Sequence, residues 1–200
     1  MTTANLLGEL KGLRVLVLHP QDTEAQIVLG HLQRIGCEVQ QQWPVPERLP
    51  PGVDVVLLSI ELDQRKAIER LVDSLDEQAP PIIAIVGYEN PSMLQLVLLS
   101  QPAAVIERPL KPFGLLTQLL IARSFWRRRV AMLAEIRKLE IRQSAVSRIS
   151  MAKTLLMARH GFSEPQAHQR IQRDAMAQRC SMDVVAQQII DNDSPERAPP

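Results

Sequence analysis

Aromatic residues and cysteines are scarce in this 200-residue chain. Aromatic side chains make up only 3% of it, which disfavours a surface that stacks many nucleic-acid bases. The two cysteines, Cys37 and Cys180, lie far apart and form no Cys-x-x-Cys spacing. A disulfide framework and a structural zinc site are therefore excluded, and we expect a reducing, cytoplasmic setting.

Long hydrophobic runs are also missing. The apolar runs are no longer than a strand, so we expect no membrane-spanning segment. The first residues lack a basic stretch followed by a long apolar one, so we expect no secretory signal. Hydrophobic residues nevertheless make up 46% of the chain, which is enough to bury a core and argues against global disorder.

The net charge of +1 conceals a strong segregation of charge. Residues 1–122 contain 9 Lys/Arg and 14 Asp/Glu, a net charge of −5. Residues 123–180 contain 13 Lys/Arg and 4 Asp/Glu, a net charge of +9, and residues 181–200 are acidic again. This pattern indicates a module that binds a polyanion, attached to an acidic domain.

Residues 1–122 alternate short apolar runs with helix-like segments. The segments between most of these runs show helical periodicity. One connection is instead interrupted by prolines, at Pro44, Pro46, Pro50 and Pro51. Strands that are apolar on both faces and separated by helices predict an α/β fold with a flavodoxin-like, doubly wound, parallel five-stranded sheet. The predicted strands cover residues 13–18, 37–43, 53–60, 82–86 and 103–106, and the helices 23–35, 64–77 and 91–99.

A long helix is predicted after Pro112, because residues 113–160 contain no proline and one glycine. Residues 123–147 fit a coiled-coil linker in which half of the a positions, such as Arg129 and Gln143, are polar. We expect self-association through this stripe; the alternative is a helix that packs on its own domain. The residues predicted to form the dimer contact are Phe125, Met132, Ile136, Leu139 and Val146.

Residues 148–190 predict a small three-helix module. Gly161 is expected to end the long helix, Ser163 and Gln166 to form a capping box for the next helix, and Ser181 to cap a third helix that ends at Ile190. Residues 191–200 are polar and proline-rich, and we expect a disordered tail. Cations remain for the surface of the module and are candidate RNA contacts: Lys153, Arg159, His160, Arg170, Arg173 and Arg179.

The first domain resembles the receiver domain of two-component response regulators, mainly in its strand pattern. The resemblance implies an acidic pair after the first strand, a phosphoacceptor aspartate, a hydroxyl and a lysine. Here His19-Pro20 replaces the acids, Ser59 stands at the degenerate phosphoacceptor position, and Val86-Gly87 replaces the hydroxyl. The lysine position is either Arg108-Pro109 or Lys111-Pro112. Since we see no carboxylate cluster and no ligand spacing around His19 or His31, we expect no metal, no cofactor, no phospho-aspartate signalling and no enzyme activity.

The C-terminal module resembles the ANTAR domain of bacterial transcription antitermination regulators. The resemblance rests on Ala152-Lys153, Leu155-Leu156-Met157, Arg159-His160-Gly161, Ser163, Ala167, Arg173, Ala175 and Val185-Ala186, with Thr154 where a glycine is usual. With its degenerate receiver, the whole chain resembles the AmiR type of regulator. This implies a homodimer that binds hairpins in a leader mRNA and prevents a terminator from forming. It also implies sequestration by an amide- or small-ligand-sensing repressor protein instead of phosphorylation.

Two other functions are compatible with the charge pattern. A basic three-helix module could read DNA, which would make the chain a DNA-binding atypical response regulator. The segment with a net charge of +9 could instead bind an acidic protein partner. Charge alone does not separate RNA from DNA, so the choice of RNA rests on the resemblance.

Overall fold

The computed structural model describes residue 8, residues 10–88 and residues 90–193. The chain divides into two compact units, with the boundary between Ala131 and Met132. Among the described helices, none is long and apolar enough to cross a membrane. The expected disordered tail lies outside the described residues from position 194 onward.

The N-terminal unit confirms the predicted parallel five-stranded α/β fold. The strand order is β2-β1-β3-β4-β5, with every neighbouring pair parallel. β3 and β4 are buried along their whole length, as their uninterrupted apolar sequences predict. The strands are β1 (Arg14–Leu18), β2 (Glu38–Gln42), β3 (Val55–Ser59), β4 (Ile82–Val86) and β5 (Ala104–Glu107).

Three helices connect the strands, and a fourth begins after β5. The helices of this part are α1 (Thr23–Arg34), α2 (Arg65–Asp73) and α3 (Pro91–Leu99), and a short 3-10 turn (Leu62–Gln64) precedes α2. Asp22 caps α1 by accepting a hydrogen bond from the Ala25 backbone N–H at 2.8 Å. Asn90 caps α3 in the same way.

Two apolar cores lie on opposite faces of the sheet. One core contains residues at alternate positions of β1, β3 and β4, such as Val15, Val17, Leu57 and Ile83. Leu119, from the helix that follows β5, packs in the same core. The other contains the intervening strand residues with residues of α2 and α3. The strands therefore supply side chains to both layers, which explains why they show no polar alternation.

The fourth helix, α4, runs without a break over Pro112–His160, as the absence of internal proline predicts. Its first part belongs to the N-terminal unit up to Ala131, nine residues beyond the predicted boundary at 122. The Trp126 indole N–H donates to the Ala79 carbonyl at 2.7 Å. This bond ties the second turn after residue 122 to the globular domain.

The C-terminal unit contains the end of α4, α5 (Glu164–Gln178) and α6 (Met182–Asp193). Gly161 has a φ of +64°, and its N–H donates to the Met157 carbonyl, which ends α4 where predicted. Ser163 and Gln166 form the predicted capping box. α6 continues to Asp193, so the first three residues of the predicted tail are helical. The core is small: Ala152, Ile171, Ala175, Val185 and Ala186 are its buried members.

We predict that Ile171→Ala unfolds the C-terminal unit without affecting the N-terminal one. The side chain is fully buried in a core of only five buried residues, so its truncation should cost about 2–5 kcal/mol. Both tryptophans, Trp43 and Trp126, lie in the N-terminal unit. The variant should therefore lose helical circular dichroism at a lower denaturant concentration while the tryptophan fluorescence transition stays unchanged.

Met176→Ala is the matched control, because this α5 side chain is 70% exposed. A single transition that shifts equally in both signals for Ile171→Ala would show that the two units do not unfold separately.

Candidate nucleic-acid interface and an occupied receiver pocket

The carboxyl ends of three strands bring together His19, Ser59 and Arg108. His19 follows β1, Ser59 ends β3 and Arg108 follows β5. Because neighbouring parallel strands all end at the same edge of the sheet, these residues occupy the place where a receiver keeps its phosphorylation site. His19 and Ser59 are completely buried, and buried polar groups need partners.

The Arg108 guanidinium supplies those partners. Its Nη2 lies 2.9 Å from His19 Nε2 and 3.0 Å from Glu61 Oε1, and it also donates to Ser59 Oγ. Its Nε lies 3.2 Å from Glu24 Oε2. A single cation therefore joins groups that follow β1, β3 and β5. Arg108, not Lys111, is the residue at the receiver's lysine position.

The surrounding groups define the hydrogen position on His19. The carbonyl of Pro20 lies 2.9 Å from Nδ1 and can only accept, so Nδ1 carries the hydrogen. Arginine can only donate, so Nε2 accepts from Arg108. The neutral Nδ1–H tautomer satisfies both contacts, and Ser59 Oγ in turn donates to Glu61 Oε1 at 2.9 Å.

The expectation that the pocket contains no carboxylate cluster is wrong. Glu24 and Glu61 contact Arg108, and one ligand atom each of His19, Asp22 and Glu24 lies within 4.8 Å of the others. His19 therefore has acidic neighbours, whereas both ring nitrogens of His31 are buried and find no hydrogen-bond partner among the described residues. The resemblance to a receiver does not point to Glu24 and Glu61, because neither lies at a position where receivers carry an acidic residue.

A guanidinium occupies the centre of this cluster. Arg108 lies within 3.2 Å of both His19 and Glu24, two of the three groups that could hold an ion. Its fixed positive charge neutralises the carboxylates and repels a divalent cation. The acceptor position is a serine, which cannot form the acyl phosphate of an aspartate. The geometry is that of a structural ion-pair network.

Half of the candidate RNA-contacting cations are held in ion pairs within the C-terminal unit. Lys153 Nζ lies 2.7 Å from Glu164 Oε1, and Arg170 Nε lies 2.8 Å from Asp174 Oδ2. Arg159 pairs with Asp193. At least one member of each pair is more than half exposed, so water screens the pairs and each contributes little to stability.

The other three candidates have different surroundings. In the part of the chain that the structure describes, Arg173 and Arg179 make no ion pair, and both are exposed. Arg179 ends α5 with a φ of +51°, a left-handed conformation that favours glycine. The His160 ring lies 5.5 Å from the Phe162 ring, measured between centroids, at an interplanar angle of 31°.

Two carboxylates in this unit have lowered pKa values. The hydrogen bond and the charge of Lys153 lower the pKa of Glu164. A hydrogen bond from Ser181, assisted by Arg148 at 3.1 Å, lowers the pKa of Asp183. Both carboxylates are therefore held ionised beside cations of α4 or at the start of α6.

The predicted dimer stripe is exposed in the single chain. Phe125, Met132, Ile136, Leu139 and Val146 have between 49% and 66% of their surface accessible. The Ala122 position, which continues the stripe towards the N-terminus, is buried in the receiver-like core. α4 thus packs on its own domain over its first turns and presents an uncovered apolar stripe beyond them.

Fold and site together define a two-part regulator: a receiver fold whose phosphorylation pocket is filled by an arginine, followed by a small basic helical module. Comparison with known proteins agrees. Residues 13–123 match the N-terminal domain of AmiR, and residues 137–190 match the ANTAR domain. The chain belongs to the AmiR family of transcription antitermination regulators, a family of regulators, not enzymes.

Individual relatives support this assignment. The chain is 35% identical to the aliphatic amidase regulator of Pseudomonas aeruginosa, over 96% of this chain and 98% of that protein. It is 25% identical to the transcriptional regulatory protein PdtaR of Mycobacterium tuberculosis, over 69% of this chain and 67% of that protein. Among solved structures, NtrX from Brucella abortus is 18% identical and superposes with a TM-score of 0.52 over 64% of this chain and 29% of that one, which shows the shared fold alone.

We predict that Arg108→Ala destabilises the N-terminal unit by about 1–3 kcal/mol, because Glu24, Glu61 and His19 lose their common partner in a largely buried pocket. Tryptophan fluorescence during denaturation measures this change. Arg65→Ala is the control: it removes an exposed pair with Glu69 and should cost less than about 1 kcal/mol. Equal costs for the two variants would contradict the role given to Arg108.

We also predict a loss of stability of the C-terminal unit in acid. Glu164 and Asp183 have lower pKa values in the folded chain than their unfolded values of about 4, so the unfolded state binds protons more readily. Their stabilisation is complete above about pH 5 and is lost as the pH falls through the folded pKa values. Combining Glu164→Gln with Asp183→Asn should reduce the stability difference between about pH 5 and pH 3; an undiminished difference would assign the acid sensitivity to other groups.

Proposed function

We propose that this protein binds hairpins in a leader transcript through its C-terminal unit and thereby prevents a terminator hairpin from forming. The observation that carries the proposal is the excess of positive charge over residues 137–190, the part of the chain that matches the ANTAR domain, with nine Lys/Arg against four Asp/Glu. Such a segment attracts any phosphate backbone, with an affinity that falls as salt rises. RNA loops add unstacked bases that side chains can read.

The proposed RNA contacts are Lys153, Arg159, His160, Arg170, Arg173 and Arg179. Arg173 and Arg179 are exposed and carry no ion pair in the described structure, so they meet phosphate without losing a partner. Lys153 and Arg170 exchange weak carboxylate pairs for phosphate contacts. The exchange costs little because each pair is partly exposed to water.

Dimerisation through α4 supports this function. Five apolar side chains at heptad spacing lie exposed along the helix, and a second copy of the chain can cover them. Two linked RNA-binding units would bind paired hairpins more tightly than either unit alone, because the second contact becomes intramolecular.

Control by a ligand-sensing repressor protein, without phosphorylation, is the second part of the proposal. The receiver-like pocket contains an arginine and a serine where phosphorylation needs a free cation site and an aspartate. The unit also exposes Leu94 and Leu98, one turn apart on α3, and Val105 on the edge strand. Exposed apolar groups of this kind suit a protein contact. We propose no catalytic activity, and a cytoplasmic location follows from action on a nascent transcript.

We predict that exchanging Lys153 and Arg159 for Glu abolishes hairpin binding while the chain stays folded. The double change reverses the charge of two of the proposed RNA contacts. Anisotropy of a labelled stem-loop measures the affinity at several salt concentrations, and duplex DNA of matched length serves as the competitor. Wild-type protein should bind the stem-loop with a steep salt dependence and prefer it to the duplex.

Lys66→Glu on α2 is the control, since it makes a charge change of the same kind on the exposed surface of the N-terminal unit. Unchanged affinity of the Lys153/Arg159 variant at moderate salt would remove both residues from the interface. A preference for the duplex would favour the DNA-binding regulator instead.

A further prediction concerns the dimer. Leu139→Asp should convert the dimer to a monomer, because it places a charge in the centre of the apolar stripe. Ile141→Asp is a matched control: Ile141 is equally apolar and 64% exposed, but lies outside the heptad stripe. Analytical ultracentrifugation measures the outcome. If both variants sediment like the wild type, α4 does not form the dimer contact.

A further inference from the structure

A small cavity lies between the last turns of α4 and α6, within the C-terminal unit. Its volume is about 180 Å³, and its apolar walls are Leu155, Leu156 and Ile189. This is smaller than the roughly 300–1,000 Å³ of a site for a drug-sized ligand. It suits a single planar ring better than a larger molecule.

The mouth of the cavity is polar and can both donate and accept hydrogen bonds. Arg159, Asn192 and Asp193 line it, and Arg159 pairs with Asp193. The guanidinium can only donate, the carboxylate can only accept, and the Asn192 amide does both. This set matches the edge of a nucleobase, where donors and acceptors alternate.

An aromatic pair adjoins the same cavity. His160 lines it, and the His160 ring lies 5.5 Å from that of Phe162. Phe162 is the only Phe, Trp or Tyr in residues 132–200. It lies half-buried in the turn between α4 and α5 and not in the aliphatic core of the unit. Unstacked RNA bases bind to aromatic and histidine rings at such positions.

We propose that this cavity holds one unpaired base of a bound RNA loop, stacked against His160 and read along its edge by Asn192 and the Arg159–Asp193 pair. The inference rests on the proposed function and adds a specific base site to it. A phosphate is the poorer occupant, because Asp193 would repel it. The acceptors on Asn192 and Asp193 favour a base with an exocyclic amine, which uracil lacks.

The test uses the full-length protein and the tightest-binding stem-loop selected from a library with a randomised loop. Each loop base is replaced in turn by an abasic site and, separately, by uridine. For the wild type, one loop position should lose about tenfold in affinity with either replacement, because both stacking and edge contacts depend on that base.

Asn192→Ala and His160→Ala should each weaken binding of the intact loop about tenfold. In both variants the abasic replacement at that position should cost little further, since the contact is already lost. Gln188→Ala, an exposed amide on α6 outside the cavity lining, should retain the full penalty. If Asn192→Ala loses helical circular dichroism, Asn192→Asp replaces it in the test, because this change preserves the shape of the side chain.

The base site is contradicted if Asn192→Ala, Asn192→Asp and His160→Ala bind every loop as the wild type does. In that case, the proposed function would still hold if RNA binding depends on salt and is lost when Lys153 and Arg159 are exchanged for Glu. If the wild-type protein binds no selected stem-loop in low salt, both the base site and the proposed function are wrong.

Discussion

One guanidinium at the end of β5, that of Arg108, contacts groups at the ends of β1 and β3 and is the constraint that organises the pocket of the N-terminal unit. Arg108, which follows β5, contacts His19 and Glu24 after β1 and Ser59 and Glu61 at the end of β3. Its positive charge neutralises the carboxylates of the pocket and repels a divalent cation. The domain therefore keeps the receiver fold while an arginine fills its pocket, and we propose that its surface is what a controlling protein contacts.

Cations have different surroundings in the two units. The N-terminal unit holds the Arg108 guanidinium inside its pocket, while the C-terminal unit carries its candidate RNA-contacting cations on the surface around a small core. Three carboxylates, Glu164, Asp174 and Asp193, already pair with these cations and moderate their field. The membership of the chain in the AmiR family agrees with the proposed division, in which the C-terminal end binds RNA and the receiver-like end contacts another protein.

Much of the fold could be predicted from the sequence, because two-sided apolar strands, the proline-free helix and the caps at Gly161 and Ser163 are local signals. The pocket could not, because the contact between Arg108 and His19 joins residues 89 positions apart, and Glu24 and Glu61 lie outside the receiver's usual acidic positions. The basic residues were visible, but the ion pairs of Lys153 and Arg159 depend on how α5 and α6 pack. The unit boundary at Ala131 likewise depends on the bond between Trp126 and Ala79.

The central claim is that this chain acts on a transcript through its basic unit while its receiver-like unit needs no phosphate. Single-round transcription through a leader with paired hairpins and a terminator tests it most directly, with the purified chain present and acetyl phosphate either present or absent. The account predicts that the chain raises read-through past the terminator to the same extent in both conditions. Read-through that appears only with the phosphate donor, or no read-through at all, would contradict it.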